Sequence, residues 1–126
     1  MGVCAAFSQT PASADAVADA LANYAAQGAG PFDAKTGERR WSDNFTDAET
    51  GQSVNCASCH RTDLRLTGQH IRTRKPIEPL APAANPRRLT DIKKIETWFL
   101  RNCKGTWGRE CTAQEKGDFL VFIRNQ

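Results

Sequence analysis

Two cysteines three positions apart, followed at once by a histidine, constrain this chain more than anything else in it: Cys56-Ala57-Ser58-Cys59-His60. C-x-x-C-H is the attachment sequence of c-type haem. Cysteines at this spacing share one helical turn and can form thioethers to the two haem vinyl groups. The next residue then lies under the iron, where its imidazole can serve as proximal ligand. Composition agrees with a fold closed around such a group. Leu, Ile, Val and Phe make up 22 of 126 residues, below the roughly 20% at which chains start to look disordered. The net charge is only +3, so the chain reads as globular but short of core. A large apolar cofactor, a disulfide or a metal should help to fill the middle. One motif predicts one haem.

Several classes fall away. The length suits one domain. No apolar run approaches the roughly 20 residues that span a bilayer. A pI of 8.7 lacks the clustered charge of a nucleic-acid binder. A zinc site built from Cys56, Cys59, Cys103 and Cys111 is the competing use of the cysteines. A thioredoxin-like dithiol would need a βαβ context that is missing.

Residues 1–14 carry no charged side chain and end in Ala12-Ser13-Ala14, an A-x-A signal-peptidase pattern with Asp15 first in the mature chain. The basic n-region is missing, so 1–14 reads as a residual signal peptide or disordered tail, with Cys4 a functionless remnant. Residues 15–126 form the haem domain. Haem attachment of this type and secretion both point to the periplasm.

Val17, Leu21 and Tyr24 at helical spacing predict a helix over 15–27, stopped by Gly28 and Gly30. A second short helix is expected over 37–45, then a polar turn over 46–55. Residues 61–90 hold four prolines and seven Arg or Lys and read as a long irregular basic stretch. Thr90 is a plausible N-cap for a helix carrying Ile92, Ile95, Phe99 and Asn102 on one stripe. Thr112-Ala113-Gln114-Glu115 is a capping box that opens the last helix. No strand pair is evident, and the class is all-α.

The sixth iron ligand is open at this level. Small electron-transfer cytochromes c usually use methionine, but the single methionine is Met1. His70, Asn102 or no side chain at all remain.

The segments Pro76-Ile-Glu-Pro-Leu-Ala-Pro82, Trp98-Phe-Leu-Arg-Asn-Cys103, Gly108-Arg-Glu-Cys111 and Glu115-Lys116, together with the C-x-x-C-H motif, resemble the sphaeroides haem protein (SHP) family. That family is a branch of class I cytochromes c related to cytochrome c″, and the resemblance covers residues 15–126. It implies the class I cytochrome c fold, with N- and C-terminal helices packed across each other. It also implies that His60 and Asn102 ligate ferric iron, and that Asn102 leaves on reduction so that ferrous haem binds O2, NO or CO. In cytochrome c″ a histidine stands at the matching place. An amide oxygen is a hard, weak donor, suited to ferric rather than ferrous iron. The resemblance further implies a dihaem cytochrome c and a membrane cytochrome b as electron donors. Two other readings stand beside it: an enzyme that turns over the bound gas, and a bis-histidine carrier using His70. Cys103 and Cys111 are expected to form a disulfide beside Asn102, fixing where the ligand helix ends. Arg72, Arg74 and Lys75 are the nearest candidates to neutralise the haem propionates. The remaining basic residues of the stretch would face an acidic redox partner.

Overall fold

The computed structural model describes Gly2 and residues 12–47 and 49–126, with side chains from residue 16 onward in the first helix. Most of the expected signal remnant, Cys4 included, therefore lies outside the described residues, while Ala12, Ser13 and Ala14 form the first turn of a helix. Five helices follow one another: α1 (Ala12–Ala26), α2 (Ala34–Trp41), α3 (Ala57–His60), α4 (Ile92–Trp107) and α5 (Ala113–Arg124). None is long and apolar enough to cross a membrane, among the described residues.

α1 buries Val17, Ala20 and Tyr24. Tyr24 donates its hydroxyl proton to Glu96 on α4, and Lys116 of α5 reaches the same carboxylate at 2.9 Å. α1 thereby packs across both α4 and α5. α5 begins at the expected capping box: Thr112 accepts from Glu115 N–H, and the Glu115 carboxylate accepts from Thr112 N–H. Its Phe119, Leu120, Phe122 and Ile123 are buried and form the floor of the core.

α2 starts earlier than expected. Asp33 caps it by accepting from the amides of Lys35 and Thr36, and the helix ends at Trp41 rather than Phe45. Gly37, expected at its start, is inside it. A Cβ there would stand 2.3 Å from the Asp118 carbonyl oxygen, so the residue is kept small to let α2 lie directly on α5. α4 is capped by Asp91, which accepts from Lys93 N–H at 2.9 Å. Thr90 instead donates its hydroxyl to the Arg87 carbonyl.

Two antiparallel hairpins replace the expected absence of strands. β1 (Phe45–Thr46) pairs with β2 (Ser53–Val54), and β3 (Gly68–Gln69) with β4 (Pro76–Ile77). Two-residue strands are too short for an alternating pattern to register. β3 packs on the attachment segment so closely that a Cβ on Gly68 would meet the Cys59 carbonyl oxygen at 2.2 Å.

Candidate haem site

The C-x-x-C-H segment makes the single turn of α3, with the His60 amide bonded to the Cys56 carbonyl. The thiols of Cys56 and Cys59 are both unbonded and half-buried. They border a cleft whose walls are aromatic: Trp41, Trp98, Phe99, Trp107 and Phe119. His60 enters it between two indoles, its ring centroid 5.6 Å from Trp41 and 6.3 Å from Trp98. Trp41 is held in turn by its indole N–H, which donates to the Arg61 carbonyl.

Burial, and secondarily the charge of Arg88, pushes the His60 pKa down to about 4, against a smaller opposing influence of the nearby Asn102 amide. The imidazole is therefore neutral at physiological pH and offers a lone pair to a metal. Burial drives the Cys56 thiol up to about 12, so it is present as S–H.

Asn102 lines the same cleft. It lies inside α4, five residues before the helix ends, where its Nδ2 donates to the Trp98 carbonyl at 2.8 Å. His60 lines the same cleft. His70 lies elsewhere. It is exposed on the β3–β4 hairpin, and its Nδ1 accepts from the amides of Arg72 and Thr73 at 3.2 Å each.

Cys103 and Cys111 are joined in a disulfide, their Cα atoms 5.6 Å apart. The four-cysteine zinc site is thereby ruled out, since two of its thiols are spent on each other. No cluster of three or more His, Cys, Asp or Glu suited to a metal occurs among the described residues. The bridge does not mark the end of α4. The helix runs a further turn to Trp107 and is closed by Gly108 in the left-handed conformation, φ 70°.

Of the three basic residues nearest in sequence to a propionate role, Arg72 is engaged by Asp47 at 2.7 Å and Glu49 at 2.6 Å. Arg74 and Lys75 are exposed on the hairpin, and none of the three lines the cleft. The basic side chain that acts on His60 is Arg88, which sequence reasoning passed over. It is half-buried, and its donors go to the carbonyls of Pro79 and Glu78.

The cleft suits a haem. Its walls are flat and apolar, two reduced thiols and one neutral imidazole converge on it, and the buried indole N–H of Trp107 at its edge has no acceptor among the described residues. Such a donor calls for a partner from whatever fills the cleft.

Comparison with known proteins agrees. The model of the family described as "Domain of unknown function (DUF1924)" matches residues 27–123. The cytochrome c-type protein SHP of Cereibacter sphaeroides is 39% identical over 112 residues, 86% of this chain and 83% of that one. The structure of oxidised SHP, an oxygen-binding cytochrome c, superposes with a TM-score of 0.79 at 38% identity, covering 87% of this chain and 96% of that one. Oxidised cytochrome c″ of Methylophilus methylotrophus gives a TM-score of 0.75 at 29% identity over 91% and 94% of the two chains. With the helical fold, the aromatic cleft and these relatives together, the chain belongs to the DUF1924 family and, within it, to the SHP-type cytochromes c, with haem c as its cofactor.

Proposed function

We propose that the chain is a periplasmic monohaem electron-transfer cytochrome whose asparagine ligand leaves on reduction and frees the iron for a diatomic. Haem c, when bound, would supply a one-electron iron centre. Cys56 and Cys59 would hold it through thioethers, and His60 would be an iron ligand. Asn102 would offer its amide oxygen as a second ligand to ferric iron. That donor is hard and weak, so it would not hold softer ferrous iron. The freed amide would then be available to hydrogen-bond to a diatomic.

One observation carries this reading: His60 and Asn102 line one cleft, while the other histidine is outside it. The bis-histidine alternative would require the β3–β4 hairpin to leave its packing on Cys59. Arg88, whose charge is felt at His60, is the candidate cation to lower the cost of a haem carboxylate. The Cys103–Cys111 bridge supports an oxidising compartment. A dihaem cytochrome c and a membrane cytochrome b are the proposed electron donors, by likeness to the SHP family.

Optical spectra of the holoprotein in both oxidation states test it. Ferric protein should be low-spin, and ferrous protein high-spin and open to carbon monoxide. Asn102→Ala should abolish the ferric low-spin spectrum and His70→Ala should leave it intact. The opposite pattern, or a ferrous protein that stays low-spin and refuses carbon monoxide, refutes the assignment.

A further inference from the structure

No basic side chain between residues 61 and 75 lines the haem cleft, and the structure divides their charges. Arg65 is paired with Asp63, the only acid in that segment, at 3.0 Å. Arg72 is paired with Asp47 and Glu49. Arg61, Arg74 and Lys75 have no carboxylate partner among the described residues, and all three are exposed. Counting the Arg72 cluster at one net negative charge, this face still carries a balance of +2.

The face adjoins Cys59. A shallow depression is shared by Cys59, Arg61, His70, Ile71 and Arg74. The hairpin cannot slide away from it, because Gly68 lies directly on the Cys59 backbone. Two of the three large apolar side chains exposed among the described residues belong to this segment: Leu66 at 50% and Ile71 at 41% exposure. Leu66 precedes Thr67, whose carbonyl takes the Arg61 Nε at 2.9 Å. The side of the cleft beside Cys56 carries Asn44, Asn55 and Asp43 instead.

Backbone conformation adds an independent sign. Arg61 has φ 66° and ψ 175°, a region that glycine almost alone adopts without strain. Arg74 has φ 61°, also left-handed. Local conformational energy would select glycine at both positions, so something other than the backbone accounts for an arginine at each.

We propose that this face, with Arg61, Arg74 and Lys75 beside exposed Ile71, docks an electron-donor protein presenting a carboxylate-rich patch beside its own redox centre. One electron leaves the partner's reduced centre and one arrives at ferric iron; no covalent bond forms, no proton moves, and on the reading above the Asn102 amide then releases the iron. Ile71 supplies a small apolar contact and the cations steer the encounter. The proposal rests on the haem reading of Cys59, and the optical spectrum of each variant tests that reading separately.

The test is stopped-flow reduction of the ferric holoprotein by a reduced flavodoxin, an acidic one-electron donor, at several ionic strengths. The wild-type rate should fall as salt rises. Arg74→Glu/Lys75→Glu should lose about tenfold or more at low salt and lose its salt dependence. Lys35→Glu/Arg124→Glu changes the net charge equally, on exposed ends of α2 and α5, and should lose less than about twofold. Arg61→Gly relieves the strained backbone, so it should be at least as stable as wild type yet reduced more slowly. Equal losses in the two charge-reversed proteins would reduce the effect to net charge and overturn the proposal. Wild-type rates in the hairpin variant would overturn it as well.

Discussion

Replacing Cys103 and Cys111 together by alanine should destabilise the fold without displacing Asn102. The bridge closes a loop with a sequence separation of 8. The chain-entropy relation gives about 2.5 kcal/mol for a loop of that size, acting on the unfolded chain. Both residues are buried, at 6% and 9% exposure, so losing the sulfur atoms adds a packing cost of up to about 1 kcal/mol. The total of about 3 kcal/mol corresponds to a fall in Tm of roughly 10 °C for a domain of this length. Asn102 should stay in place because α4 does not depend on the bridge for its end. The helix continues to Trp107, and the Gly108 amide donates to the Lys104 carbonyl across the left-handed cap. Asn102 is also tied to the Trp98 carbonyl one turn earlier. Guanidinium unfolding of the ferric holoprotein, read by tryptophan fluorescence, measures the stability. The native-baseline optical spectrum reports the axial ligand. A stability loss under about 1 kcal/mol would refute the loop-entropy argument. A native baseline already shifted to high-spin would refute the claim that Gly108 and the helix, rather than the disulfide, hold Asn102.

Acid stability should follow Glu115. Burial by itself would raise its pKa, but hydrogen bonds from Arg109 and from Thr112 outweigh this and hold it at about 2. A depressed carboxylate contributes stability that is complete above its ordinary pKa of 4.5 and is lost as pH falls toward 2. Glu115→Gln should flatten the dependence of Tm on pH between those values. Asp47, also held near 2, first by its Arg72 hydrogen bond, should leave a residual slope, and an unchanged profile would refute the assignment. Gly68→Ala should cost about 1–3 kcal/mol, because the added methyl runs into the Cys59 carbonyl and the hairpin must lift. It should also lower the fraction of chains whose intact mass includes a haem, and full haem loading at wild-type Tm would show that the hairpin does not brace the attachment turn.

The features legible in the sequence are those whose physics is local. C-x-x-C-H acts within one helical turn. Thr112 and Glu115 satisfy each other's backbone amides three residues apart, so the start of α5 is correct to the residue. The stripe of Ile95 and Phe99 repeats within α4. The start of α2 is equally local in Asp33, yet Gly37 draws the reading to the wrong residue. The reason for a glycine there is the Asp118 carbonyl, 81 residues further along the chain. The hairpins escape notice because two-residue strands have no period.

Charge is where tertiary structure decides most. Seven cations between residues 61 and 90 look alike in sequence. Folding spends Arg72 on Asp47 and Glu49, and sets Arg88 against His60. It leaves Arg61, Arg74 and Lys75 without a carboxylate partner among the described residues, with Arg61 and Arg74 beside Cys59. In the same way Glu115 reads as a cap, while the structure also gives it Arg40 from 75 positions away. The placement of His70 and Asn102 is of this kind too. Both are polar side chains near an attachment motif, and only the tertiary fold sets Asn102 in the cleft that His60 lines and leaves His70 exposed on a hairpin. Coulomb and coordinate bonds depend on distance in space, and for residues tens of positions apart that distance is set only when the core closes.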